Sequence, residues 1–296
     1  MSTGETKTID YFCCRYSLFK EEQMHINDIL SPKTKEESFI SFIQELEKKI
    51  KLELSCGKDS FILYFIGQIS DKKYLLKFAK KVKRTINQPT GTDIEQMPLE
   101  DYPWCSIIVD IDQQRFLVSK NNEITTDIST LKNHIAKAIS KRLNEFQISL
   151  QLELLTDKKG FWESIRYNEG EIQYVELTLI SPNYLGQSYS TTKMLKEMKG
   201  EMNNDSVIMK FTNERGKLKV LPNNRFFTDM LEYIANGCGC WKIKSKSQRK
   251  VIKSEEQAIT YPLDSDIYTL TSSQKEDIRS AFAHLDSIEK ENRKKE

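Results

Sequence analysis

Apolar positions along the chain switch between a period near 3.6 and a period of 2, and these switches mark out its elements. The run Ile9 to Ser17 is aromatic and thiol-rich without helix caps, which predicts a buried strand. After Ser31-Pro32, the run Glu36 to Leu54 places Phe39, Ile43, Leu46 and Ile50 at spacings of four, three and four, an amphipathic helix that Cys56-Gly57 ends. Ser60 to Ile69 is β-branched and aromatic, Ser70-Asp71-Lys72 supplies a turn, and Tyr74 begins a return strand, so a β-hairpin is expected. A helix over residues 72–86 competes with that strand, because Leu75, Ala79 and Val82 would then share an inner face; the preceding turn favours the strand. The polar stretch from Pro89 to Pro103 reads as a surface loop, and Trp104–Asp110 with Arg115–Ser119 reads as a second hairpin. Asp127 starts a helix carrying Ile128, Leu131, Ile135, Ala138, Ile139 and Leu143.

The second half repeats this grammar with different residues. Phe146 to Leu155 alternates strictly, with Ile148, Leu150, Leu152 and Leu154 on one face of a strand. Ile172 to Ile180 is another strand, stopped by Ser181-Pro182-Asn183, and Thr191 to Lys199 is a short helix ended by Gly200. Val207 to Phe211, Leu218 to Leu221 and a helix from Arg225 to Ala235 follow, with Asn236-Gly237 as a left-handed C-cap. A basic hairpin comes next, then a tail helix in which Ser273 and Glu276 fit a capping box. The tail's stripe of Ile278, Phe282, Leu285 and Ile288 needs a partner, either the core or a second subunit. The pattern predicts an α+β protein: two mixed α/β units with antiparallel hairpins, residues 1–143 and 144–270, and a C-terminal amphipathic helix at 271–296.

Composition narrows the class. With 38% hydrophobic and 30% charged residues, 14 Phe and 12 Tyr, the 296-residue chain is too polar for a helical membrane protein and too aromatic for a disordered one. No apolar leader follows the N-terminus, so a cytoplasmic protein is expected, with its six cysteines as free thiols. Lys and Arg total 45 against 43 Asp and Glu, a net charge of +2, so any electrostatic partner must be read from local clusters.

Two such clusters stand out. Trp241 to Lys253 holds six basic residues and no acid: Lys242, Lys244, Lys246, Arg249, Lys250 and Lys253. On a strand, Trp241, Ile243 and Ser245 face one way and Lys242, Lys244 and Lys246 the other, a row of ammonium groups about 7 Å apart that resembles DNA phosphate spacing. A ribbon turning at Ser247-Gln248 would add the remaining cations, and such ribbons lie along a backbone or in a groove. The plainer alternative is an edge that lysines keep soluble. The other cluster, around Lys73, Lys77, Lys81, Lys83 and Arg84, would extend a backbone footprint or form a solvated hairpin.

Catalytic and metal signatures are weak. Cys238-Gly-Cys240 has no second ligand pair, and His25, His134 and His284 lack metal-site spacing, so no metal and no cofactor is predicted. Asp110 with Asp112, or Glu169 with Glu171, near Lys120 or Lys158, would suit a metal-dependent nuclease if they converged in a cleft. Cys13-Cys14 with His25 imitates a nucleophile pair, yet thiols on an aromatic strand belong to a core. Nucleotide-binding loops, nucleophile elbows and kinase motifs are absent.

The order of elements resembles the RexA phage-exclusion family of lambdoid prophages and, more loosely, the DNA-binding B component of the Kiwa defence system. The resemblance rests on the strand Tyr11 to Tyr16, the Phe61 to Phe78 hairpin with its basic extension, and Tyr102-Pro-Trp-Cys-Ser-Ile-Ile-Val-Asp-Ile-Asp112 with its return strand and helix. Glu176-Leu-Thr-Leu-Ile-Ser-Pro-Asn183 and the strand, helix and basic-hairpin order from Val207 to Lys253 complete it. It implies a cytosolic homodimer that binds DNA with little sequence preference, senses a phage intermediate and signals to a separate membrane or effector protein. It supplies no catalytic residues. The alternatives are a metal-dependent nuclease and a non-catalytic protein-interaction scaffold.

Overall fold

The computed structural model describes residues 8–20, 33–89, 91–181, 190–264, 267 and 270–294. His25, Pro182 and Asn183 lie outside the described residues, as does the side chain of Ile288. The strands are, in chain order, β1 (Thr8–Lys20), β2 (Lys51–Cys56), β3 (Asp59–Ser70), β4 (Lys73–Lys80), β5 (Val82–Pro89), β6 (Ile94–Asp101) and β7 (Trp104–Asp110). They continue as β8 (Arg115–Ser119), β9 (Ile148–Leu154), β10 (Ile172–Ile180), β11 (Ser206–Thr212), β12 (Gly239–Ser245), β13 (Ile252–Lys253) and β14 (Thr260–Asp264). The helices are α1 (Lys35–Lys49), α2 (Ile128–Leu143), α3 (Lys158–Tyr167), α4 (Ser190–Met202), α5 (Arg225–Ala235) and α6 (Ser272–Lys294). The fold is α+β, and its sheets pair antiparallel throughout.

The larger sheet runs β14-β1-β8-β7-β4-β3-β2, with β9 also paired to β1. β1 is long enough to pair β14 along its first half and β9 along its second, while β8 takes its other edge. Both β9 and β14 come from residues 144–270, so this sheet draws on both halves of the sequence. Its central strands are buried on both faces. Leu76, Phe78, Ile107, Val109, Phe116 and Val118 face α1 and α2, while Leu75, Ile108 and Leu117 face Ile278, Phe282 and Leu285 of α6. The tail's apolar stripe therefore finds its partner within the chain. Burial on both faces also explains the helix-like pattern at 72–86, since Leu75-Leu76 and Phe78-Ala79 fill both sides of a strand.

The structure corrects five local expectations. α1 stops at Lys49; Ile50 is 65% exposed at φ 65°, and 51–56 forms β2, with Leu52 opposite Leu63 and Leu54 opposite Phe61. The expected loop at 89–103 contains strand β6, which pairs with β5 from Val82–Asp101 to Pro89–Ile94. This hairpin is largely exposed, so ladder hydrogen bonds rather than burial define it. α4 continues through Gly200 to Met202, and Leu218–Leu221 is not in a strand. At the tail, Thr271 and Gln274 exchange the capping hydrogen bonds, two residues before the expected Ser273.

The smaller sheet runs β11-β10-β12-β13. Phe161, Phe227, Met230 and Ile234 of α3 and α5 pack on its inner residues Val175, Leu177, Trp241 and Ile243. The two sheets meet where Asn236-Gly237 docks on β1. Arg15, 2% exposed, donates from Nε to the Asn236 carbonyl and from Nη1 to the Gln113 carbonyl, 3.0 Å. Gly237 sits at φ 75°, and a Cβ there would lie 2.6 Å from Arg15 Cβ, so both conformation and space require glycine.

Candidate nucleic-acid interface

Alternation along β10, β11 and β12 gives the smaller sheet an apolar inner face and a polar outer one. Trp241, Ile243 and Ser245 point inward, and the Trp241 ring meets Phe161 edge-on at 5.2 Å. Trp241 is thus a core residue and not a stacking platform. Lys242 and Lys244 point the other way, beside Tyr174 and Glu176 of β10 and Lys210 of β11.

Register makes a cross-strand row of these residues. Lys210 faces Glu176, Glu176 faces Lys242, and Lys242 faces Lys253, so the row holds three lysines and one carboxylate, which Lys210 and Lys242 flank. The Lys242 ammonium lies 2.9 Å from Glu176 Oε1 and that of Lys210 3.8 Å from Oε2. The hydrogen bond from Lys242, with Lys210 adding to it, holds the Glu176 carboxyl below the usual glutamate range. The Lys210 ammonium also stands 4.2 Å from the centre of the Tyr174 ring. Ile208, on the same face, is 64% exposed, so this face reaches solvent.

The turn after β12 carries the rest of the cluster. The Lys244 ammonium donates to the Gln248 and Arg249 carbonyls, the latter at 2.9 Å, which makes it the peg of the turn rather than a free cation. Lys246, Arg249, Lys250 and Lys253 are exposed. Lys250 and Lys253 also line a cleft of about 550 Å³ with Lys120, the α2 N-cap Asp127, Glu255 and Glu256. Lys210 stands alone in its strand, outside both basic clusters of the sequence. Its signal is the alternation of Val207, Met209 and Phe211, which turns Lys210 outward.

The other basic cluster has a different fate. Lys73 lies 3.1 Å from Asp110, which is 1% exposed, and 5.6 Å from the Phe282 ring. Lys77 sits 4.0 Å over the Trp104 ring, where burial lowers its pKa. Lys81 pairs with Glu100 at 2.8 Å, and Arg84 with Asp101 at 2.6 Å and with Glu123. Lys83 faces Glu100 across the β5–β6 ladder. The cluster is divided at Lys81, which stands between β4 and β5.

The Asp110–Asp112 and cysteine candidates resolve into structural contacts. Asp110 and Asp112 bind Lys73 and Lys72, each at 3.1 Å. Cys13 and Cys14 are buried, and burial pushes the Cys14 thiol far above its ordinary value. Cys238 donates weakly to the Asn236 carbonyl. Among the described residues, no group of three His, Cys, Asp or Glu side chains converges as a metal site. Among them, too, no helix is long and apolar enough to cross a membrane. No protein-family model, curated protein or solved structure matches this chain.

Proposed function

We propose that the protein binds the nucleic-acid backbone through the outer face of the smaller sheet and the turn after β12. Lys210, Lys242 and Lys253 neutralise phosphates along the row, and Lys246, Arg249 and Lys250 extend the contact around the turn. The observation that carries this reading is the row itself: three lysines from separate strands brought into one cross-strand line that contains a single carboxylate. Ammonium groups on a strand face meet phosphates but carry no base-specific donor and acceptor pattern, so recognition is of charge rather than sequence. Together with the resemblance to phage-exclusion proteins, this supports a DNA-binding sensor in antiphage defence that acts as a homodimer and signals to a separate membrane or effector partner.

The test is titration against fluorescent double- and single-stranded DNA at several salt concentrations, with and without Mg²⁺, followed by a denaturing gel. Salt-sensitive binding to intact DNA is expected, with a slope near −0.9 per phosphate contacted on duplex. No binding at low salt would overturn the reading in favour of a protein scaffold. Mg²⁺-dependent fragments would replace it with a nuclease.

A further inference from the structure

Between α3, the start of β10 and residues 217–222 lies a cavity of about 770 Å³, within the roughly 300–1,000 Å³ typical of small-molecule sites. Its wall is formed by Trp162 and Ile165 of α3, Ile172 of β10, and Leu218, Val220 and Leu221. The Leu218 N–H donates to the Ile172 carbonyl at 3.1 Å, which anchors the 217–222 segment over the cavity. Trp162 packs edge-on against Phe161 at 5.0 Å, so its ring is a fixed wall. Around the mouth stand Arg166, Lys217 and Lys219, all exposed, with one carboxylate, Glu169.

A nucleobase would leave its polar edges unpaired against so aliphatic a wall, whereas a hydrocarbon chain would not. The cationic mouth selects an anionic head group. We propose that this cavity binds a free amphipathic anion: an aliphatic carboxylate with its chain against Trp162, Ile165 and Val220 and its head group between Arg166, Lys217 and Lys219. This inference does not depend on the DNA reading.

Titrating the full chain with decanoate below its micelle concentration, by calorimetry and by tryptophan fluorescence, tests it. Saturable one-to-one binding is expected, with a fluorescence change that disappears in Trp162→Phe while the heat remains. Decanol should bind about tenfold more weakly, as should decanoate to Leu221→Glu or to Lys217→Glu/Lys219→Glu, the scale of a lost charge-assisted contact. These positions are exposed, so the variants should melt like the parent. Unsaturable uptake, equal affinity for decanol, or a fluorescence change that survives Trp162→Phe would overturn the proposal. So would sedimentation with phosphatidylglycerol vesicles without decanoate binding, which would make the anion a membrane lipid.

Discussion

The segments 73–84 and 242–253 are comparably basic in sequence, yet the fold treats them oppositely. In the first, Lys73, Lys81 and Arg84 meet Asp110, Glu100, Asp101 and Glu123, carboxylates that lie 16 or more residues further along the chain. In the second, Glu176 is the carboxylate in the row, and it serves both Lys210 and Lys242. Local charge density is therefore a poor guide to a field, because antiparallel pairing decides which acids cross the ladder. A cation on a surface strand stays available when its cross-strand neighbour is another cation, as Lys253 is to Lys242.

The largest effect is expected at Asp110. Removing this buried carboxylate by Asp110→Ala leaves Lys73, only 21% exposed, without its partner, and a loss of about 3 kcal/mol is expected in urea unfolding. A loss below about 0.5 kcal/mol, the scatter of ordinary surface changes, would show that the first cluster is no more structural than the second. Next in size is the combined change of Lys246, Arg249, Lys250 and Lys253 to Glu. Stability should stay within about 0.5 kcal/mol for such exposed positions, while DNA affinity falls by about 10²-fold or more at low salt. If each of the four contacts one phosphate, the salt slope drops by about 3.6. Full affinity in the folded variant would remove the interface from this face.

The contrast between the clusters shows what the sequence could reveal. The inward and outward assignment of Trp241, Ile243, Lys242 and Lys244 follows from period 2 alone, and the structure agrees. The same holds for the stripe of α2 and for β9, whose alternating residues each see one environment. Partnership was not legible. Nothing local says that Lys73 meets Asp110, that Lys244 bends back onto its own turn, or that Lys210 joins the row, because each depends on long-range register or turn geometry. Short apolar runs misled for a related reason: Leu54 continues the helical stripe four residues after Ile50, yet Leu52 and Leu54 both pair with β3 in space. The segment 218–221 has strand composition but lines a cavity instead of joining a ladder.

A smaller effect is expected at Glu176. Glu176→Gln removes the carboxylate from the row, so DNA affinity should rise several-fold and the salt slope should steepen by up to about one contact. The wild-type carboxyl binds its proton less tightly in the folded chain than an ordinary glutamate, because Lys242 and Lys210 hold the charged form. The unfolded chain therefore carries more protons between the two values. The stability that this pair contributes is complete above the ordinary glutamate range and is lost as pH falls through the lowered folded value. Between about pH 6 and 8 neither stability nor DNA affinity should move on this account. Acid unfolding monitored by circular dichroism should show a shallower stability loss in Glu176→Gln than in the parent. Identical acid profiles would mean that Glu176 is not held by its lysines.

The smallest expected effect lies at the base of the exposed β5–β6 hairpin, where Lys81, just before β5, forms an ion pair with Glu100 of β6. Each raises the charged fraction of the other: the hydrogen bond to Glu100 lifts the Lys81 pKa, and the same bond lowers that of Glu100. Exchanging them by Lys81→Glu with Glu100→Lys keeps the pair and the net charge while moving the cation from β4's end to β6. Solvent screens such a pair, so the urea midpoint should not move, and DNA affinity at low salt should match the parent. A hairpin whose lysines gripped phosphates would respond to this exchange, because a backbone contact depends on where the cation stands. A clear change in DNA affinity would therefore enlarge the interface to the first cluster and show that internal ion pairs do not withdraw lysines from a phosphate surface.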